Sequence, residues 1–123
     1  MATEFGVVFE TLKAVLAGHA KGLGVQADSA QVYSLVGRKA SPFPQHKGNP
    51  MWFGAVKLGK AYVSYHLMPL YMSPALNAKI SDALRKRMQG KTCFNFKTLP
   101  DEGLIADLAE LTAAAARGWE QYL

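Results

Sequence analysis

Cysteine occurs once in this chain, at Cys93, so no disulfide can close within it, and a reducing cytoplasmic setting is expected. Long apolar runs are missing too. No stretch approaches the roughly 20 residues that cross a bilayer, and no membrane partner is expected. The amino terminus carries Glu4 and Glu10 among its apolar residues and lacks the basic start of a secretory signal. Acidic residues are scarce, 9 against 14 lysines and arginines, a formal charge of +5. That excess admits an anionic partner over a cationic one. Carboxylates in a pattern that would pair them are also lacking, which removes the usual signature of acid–base hydrolysis. What remains is globular composition, 50% hydrophobic and 19% charged over 123 residues. That length suits one domain spanning residues 1–123.

Phe5, Val8, Phe9, Leu12, Val15 and Leu16 recur at helical spacing and predict an amphipathic helix over 3–21, with Thr3 as its N-cap and Gly22 and Gly24 ending it. Residues 31–36 are rich in β formers and predict a short strand. Residues 38–50 hold Pro42, Pro44, Gly48, Asn49 and Pro50 without periodicity and predict a loop. Two strands, 51–58 and 61–67, are predicted around a two-residue turn at Gly59-Lys60. That turn would pair Leu58 with Ala61, Val56 with Val63, Gly54 with Tyr65 and Trp52 with Leu67 on a core face. Lys57 and Tyr62, Ala55 and Ser64, and Phe53 and His66 would pair on the opposite face. Ser73-Pro74 predicts a helix start, the stripe Leu76, Ile80, Leu84 and Met88 its buried side, and Gly90 its end. A strand at 92–96 and a last helix opened by Pro100, Asp101 and Glu102 complete the order α-β-β-β-α-β-α. The fold class is therefore α+β, an antiparallel sheet of about four strands packed with three helices.

Several motifs fail on physical grounds. Gly54-Ala55-Val56-Lys57-Leu58-Gly59-Lys60-Ala61 nearly matches a phosphate-binding loop. Ala61, however, stands where a magnesium-binding hydroxyl is needed, and a strand follows instead of a helix. His19, His46 and His66 are scattered over a helix, a loop and a strand without ligand spacing, so neither a metal site nor any cofactor is expected. Cys93 could meet His66 for nucleophilic chemistry, but a buried, inert thiol is the plainer reading. Lys79, Arg85, Lys86, Arg87 and Lys91 concentrate charge around the second helix, with Asp82 and Lys86 spaced to pair. A solvated helix face explains them, and no nucleic-acid partner is expected.

The outer sheet face is the informative feature. Phe53, Ala55, Lys57, Tyr62, Ser64 and His66 make it too aromatic for a solvated surface and too polar for a core. The chain's own helices, a ligand cleft or a homodimer contact would each cover it. As a cleft closed by the 38–50 loop, it would take a small anionic ligand. Phe53 and Tyr62 would be its walls, His66 and Ser64 its polar contacts, and Lys57 or Arg38 the countercharge.

The run Lys60-Ala61-Tyr62-Val63-Ser64-Tyr65-His66-Leu67-Met68-Pro69-Leu70-Tyr71, the basic helix expected after it, Gly90-Lys91-Thr92-Cys93-Phe94-Asn95-Phe96 and the acidic start of the last helix resemble the YdhG-like family of bacterial domains of unknown function. The resemblance covers residues 25–120. It implies a compact α+β domain with helices around an antiparallel sheet, and no established activity. A binding or accessory domain is the leading functional expectation. An enzyme acting on a small anionic substrate is the alternative, with His66 as acid or base and Lys57 or Arg38 holding the anion. Some relatives are described as frataxin-like iron chaperones. That role uses an acidic helix surface, and the first helix here offers only Glu4 and Glu10.

Overall fold

The computed structural model describes residues 2–19, 23–40, 50–89 and 93–118. Their architecture is α+β, built on a six-stranded antiparallel sheet in the order β1-β2-β3-β4-β6-β5. The strands are β1 (Gly24–Asp28), β2 (Val32–Ala40), β3 (Pro50–Leu58), β4 (Val63–Leu67), β5 (Met88–Gln89) and β6 (Cys93–Phe96). Two long helices, α1 (Ala2–Ala17) and α5 (Glu102–Gly118), pack with the sheet, and three one-turn helices lie between β4 and β5. These are α2 (Pro69–Met72), α3 (Pro74–Asn77) and α4 (Asp82–Arg85). The four strands and three helices expected from sequence thus become six and five among the described residues. Further expectations need correction in detail.

The helix expected from Ser73 onward is broken. Ser73 does cap a helix, accepting a hydrogen bond from the Leu76 amide, but α3 ends at Asn77. Ser81 then adopts an extended conformation and caps a new turn through the Leu84 amide. Ser81-Asp82 is a second start signal inside the apolar stripe, a capping hydroxyl with an acid in the first turn. Leu76, Ile80 and Leu84 are still buried, whereas Met88 belongs to β5. Arg85 ties the pieces together, its Nη2 donating to the Asn77 carbonyl at 2.9 Å. Asp82 and Lys86 form no ion pair; among the described residues that contact joins Lys13 to Asp28 at 2.8 Å.

At the amino end, α1 begins at Ala2, so Thr3 is inside the helix and not its cap. Val8, Phe9, Leu12 and Leu16 are buried on its inner side. The segment expected as a 38–50 loop is strand at 38–40 and at Pro50, and residues 41–49, with His46, lie outside the described residues. At the carboxyl end Asp101 caps α5, its Oδ1 accepting from the Leu104 amide at 2.8 Å. Leu104, Leu108, Leu111 and Ala115 are buried along that helix, while Trp119 and Tyr122 lie outside the described residues.

The hairpin forms with a longer connection. Leu58 pairs with Val63, Val56 with Tyr65, Lys57 with Ser64, Ala55 with His66 and Gly54 with Leu67. Gly59 to Tyr62 is a four-residue link closed by the Gly59 amide on the Tyr62 carbonyl at 3.0 Å. The register is displaced by two residues from the expected one. Because side chains alternate with a period of two, an even displacement leaves each face intact. Val56, Val63, Tyr65 and Leu67 are fully buried, as expected. They lie on the helix side, where the Tyr65 hydroxyl reaches Thr112 of α5 at 2.7 Å.

Thr112 donates onward to the Leu108 carbonyl at 2.8 Å, so the Tyr65 hydroxyl is the donor of that pair. Both side chains are fully buried. Tyr65→Phe is expected to cost about 1 kcal/mol, the usual net worth of such a bond, in chemical denaturation. A second change, Thr112→Val, should then cost less in that background than alone, because the two groups share one interaction.

The last correction is a bulge. Leu35 faces Gly54 across β2 and β3, but Val36 faces Trp52, leaving Phe53 as an extra residue on β3. An inserted residue reverses the alternation beyond it. Trp52, expected in the core, is half-buried on the outer face, with its Nε1 donating to Ser34 Oγ at 3.0 Å. Phe53, expected on the outer face, is fully buried in the hydrophobic core.

Candidate functional site

The sheet face opposite α1 and α5 collects polar side chains from all six strands. Ser34 of β2 donates to Gln26 Oε1 of β1 at 2.9 Å and accepts from Trp52 of β3. The Trp52 ring lies against His66 of β4, centroids 5.6 Å apart, and the Lys57 ammonium stands 6.0 Å from the indole centroid. His66 Nε2 is 3.1 Å from Ser64 Oγ and 3.7 Å from Cys93 Sγ of β6. The Cys93 thiol donates to Asn95 Oδ1 at 3.3 Å, and Asn95 Nδ2 donates to Gln89 of β5. Alternation explains the β6 contribution: Phe94 and Phe96 are buried in the core, so Cys93 and Asn95 point the other way.

Of the expected site residues, Lys57, Ser64 and His66 stand together on this face. Lys57 is exposed, Ser64 buried and His66 half-buried. Phe53 leaves the site for the core, and Trp52 takes the aromatic position in its place. Tyr62 is half-buried in the β3–β4 connection and does not pair with Lys57, whose partner is Ser64. Arg38 lies on β2, and its side chain is outside the described residues. Gln26, Ser34, Trp52, Cys93 and Asn95 were missing from the sequence-derived set. The Cys93–His66 encounter was legible as a pairing of types, but only the β4–β6 ladder places the two opposite each other.

Burial holds the His66 imidazole below its ordinary range, and the Lys57 charge acts in the same direction. Burial pushes the Cys93 thiol up, with Lys57 opposing. Both groups are therefore held neutral near pH 7, and the thiolate–imidazolium pair of a nucleophilic cysteine is disfavoured. A neutral imidazole can still accept a hydrogen bond or a proton. None of the face residues named above is acidic, and the Lys57 ammonium stands near the Trp52 indole face.

A groove of about 630 Å³ lies elsewhere, on the helical side, between α5 and the Lys79–Ser81 turn. Asp107, Glu110, Lys79 and Arg117 border it. Both signs are present on solvated helix surface, so it offers no single charge for a ligand to match. Among the described residues no group of three or more His, Cys, Asp or Glu side chains converges. The helices contain no segment long and apolar enough to cross a membrane among the described residues. No family model, curated protein or solved structure matches this chain.

Proposed function

We propose that this chain is a YdhG-like binding or accessory domain that takes a small anionic ligand on the polar face of its sheet. The observation that carries this reading is Lys57, an exposed ammonium beside the Trp52 ring on a face where no named side chain is acidic. An anion there gains a charge-assisted contact from Lys57 without repulsion from a neighbouring carboxylate. Trp52 supplies an apolar wall, and Ser64 and His66 supply hydrogen-bonding groups in a half-buried setting. The family assignment rests on the motif order from Lys60 to Tyr71 and from Gly90 to Phe96.

Thermal-shift titration with inorganic phosphate, small carboxylates and phosphorylated metabolites tests the proposal. A ligand at about 100 times its Kd stabilises by about 2.7 kcal/mol, a rise of several degrees in a domain of this size. Lys57→Gln, which keeps a polar end on a slightly shorter stem and removes the charge at an exposed position, should abolish most of that rise while leaving the ligand-free melting temperature nearly unchanged. Equal shifts in both proteins, or no shift with any of these anions, would remove the site.

A further inference from the structure

From the β4–β6 ladder we infer a second use of the same face, independent of any anionic ligand: a binding site for a soft monovalent metal ion, copper(I) in type, held by Cys93 and His66. These residues are direct cross-strand partners, as are Ser64 and Asn95 next to them, so four donor side chains form one block on two adjacent strands. Their spacing suits a single ion. With metal bonds of about 2.3 Å to sulfur and 2.0 Å to nitrogen, the 3.7 Å between Cys93 Sγ and His66 Nε2 corresponds to an angle of about 120° at the metal. That lies near trigonal and tetrahedral values, so the pair is already set at a usable bite. Asn95 Oδ1, 3.3 Å from the sulfur, and Ser64 Oγ, 3.1 Å from the imidazole nitrogen, flank it as weaker oxygen donors.

The donor set selects the ion. No carboxylate belongs to this block, which removes the basis for holding magnesium, calcium or ferric iron. Thiolate and imidazole together suit copper(I) or zinc(II). Net charge separates those two. On binding, the Cys93 S–H bond breaks, its proton leaves to solvent, and metal–sulfur and metal–nitrogen bonds form with no change of oxidation state. Thiolate plus a monovalent ion is neutral, whereas thiolate plus zinc leaves a positive centre in a half-buried site on which the Lys57 charge already acts. A neutral complex avoids both desolvation of charge and repulsion from that lysine. The Trp52 ring beside His66 keeps one flank of the site apolar.

Anaerobic titration of the full chain with copper(I), delivered from a chromophoric chelator complex, is the test. One ion per chain is expected, with release of one proton, a thiolate-to-metal absorption band and protection of Cys93 from alkylation. Cys93→Ser and His66→Gln should each weaken binding by more than about 100-fold, beyond the 10–100-fold typical of residues that only support a ligand. Asn95→Ala should fall within that lower range. Zinc(II) should compete poorly with copper(I). Unchanged affinity in a folded His66→Gln protein, or zinc binding as tight as copper(I), would overturn the inference. If a variant fails to fold, the wild-type proton count and alkylation protection decide: no protection, or no proton release, overturns it equally.

Discussion

Gly54→Ala is expected to destabilise this protein by about 3 kcal/mol or more, at the upper end of the cost of overpacking a core. A Cβ at residue 54 would stand 2.6 Å from the His66 carbonyl oxygen, with Leu67 and Leu16 side chains closing in behind it. The obstructing atom is backbone in the neighbouring strand, so no rotamer change relieves it. Strand β3 must move away from β4, or the α1 contact must open. Gly6 offers the control, since a Cβ there meets nothing within 4 Å, and Gly6→Ala should be neutral or slightly stabilising in its helix. Urea denaturation of the two variants beside wild type checks both. A Gly54→Ala protein within about 0.5 kcal/mol of wild type would mean that the strands approach less closely than described.

Phe53 and Trp52 should respond to truncation in the order opposite to strict alternation. Phe53 is fully buried within the core, and Phe53→Ala is expected to cost about 3–5 kcal/mol. Trp52 is half-buried and gives up one hydrogen bond to Ser34 and partial packing on His66. Trp52→Ala should therefore cost about 1–2 kcal/mol, despite removing the larger side chain. Equilibrium unfolding of both variants by tryptophan-independent circular dichroism gives the comparison. If Trp52→Ala proves the more damaging, the extra residue on β3 is not where the β2–β3 pairing places it.

These two residues also show where pattern reading stops. Alternation assigned them from the hairpin turn outward, and a single inserted residue at Phe53 reversed the assignment for Trp52. Gly54 within a strand is a general signal for a bulge or a close backbone approach, but only the pairing with β2 shows that Phe53 is the extra residue. The rest of the hairpin was legible despite a misjudged turn, since a slip of two residues returns every side chain to its face. Helix α5 was legible because Asp101 and Glu102 mark its start and the apolar stripe follows at helical spacing. Strand β1 was not, since only Gly24 and Ala27 are even partly covered and no alternation survives in Gly24–Asp28. The candidate site shows the same division. Lys57, Ser64 and His66 share a parity that sequence can supply. Their meeting with Cys93 and Asn95 depends on which strand neighbours β4, a non-local fact.

The break in pairing between Val25 and Ala27 bears on how this chain behaves when crowded. β1 and β5 are the two outer strands, and an outer strand with a long row of unused amides is a template for a second chain. At one margin, β1 loses its regular spacing in the middle and carries Asp28 at its end. At the other, β5 is only two residues long. Among the described residues neither margin presents the six or seven regularly spaced residues on which fibrillar stacking grows. Pairing with a second chain through these margins is accordingly disfavoured, and seeding by an added β-strand peptide should fail unless the sheet first opens.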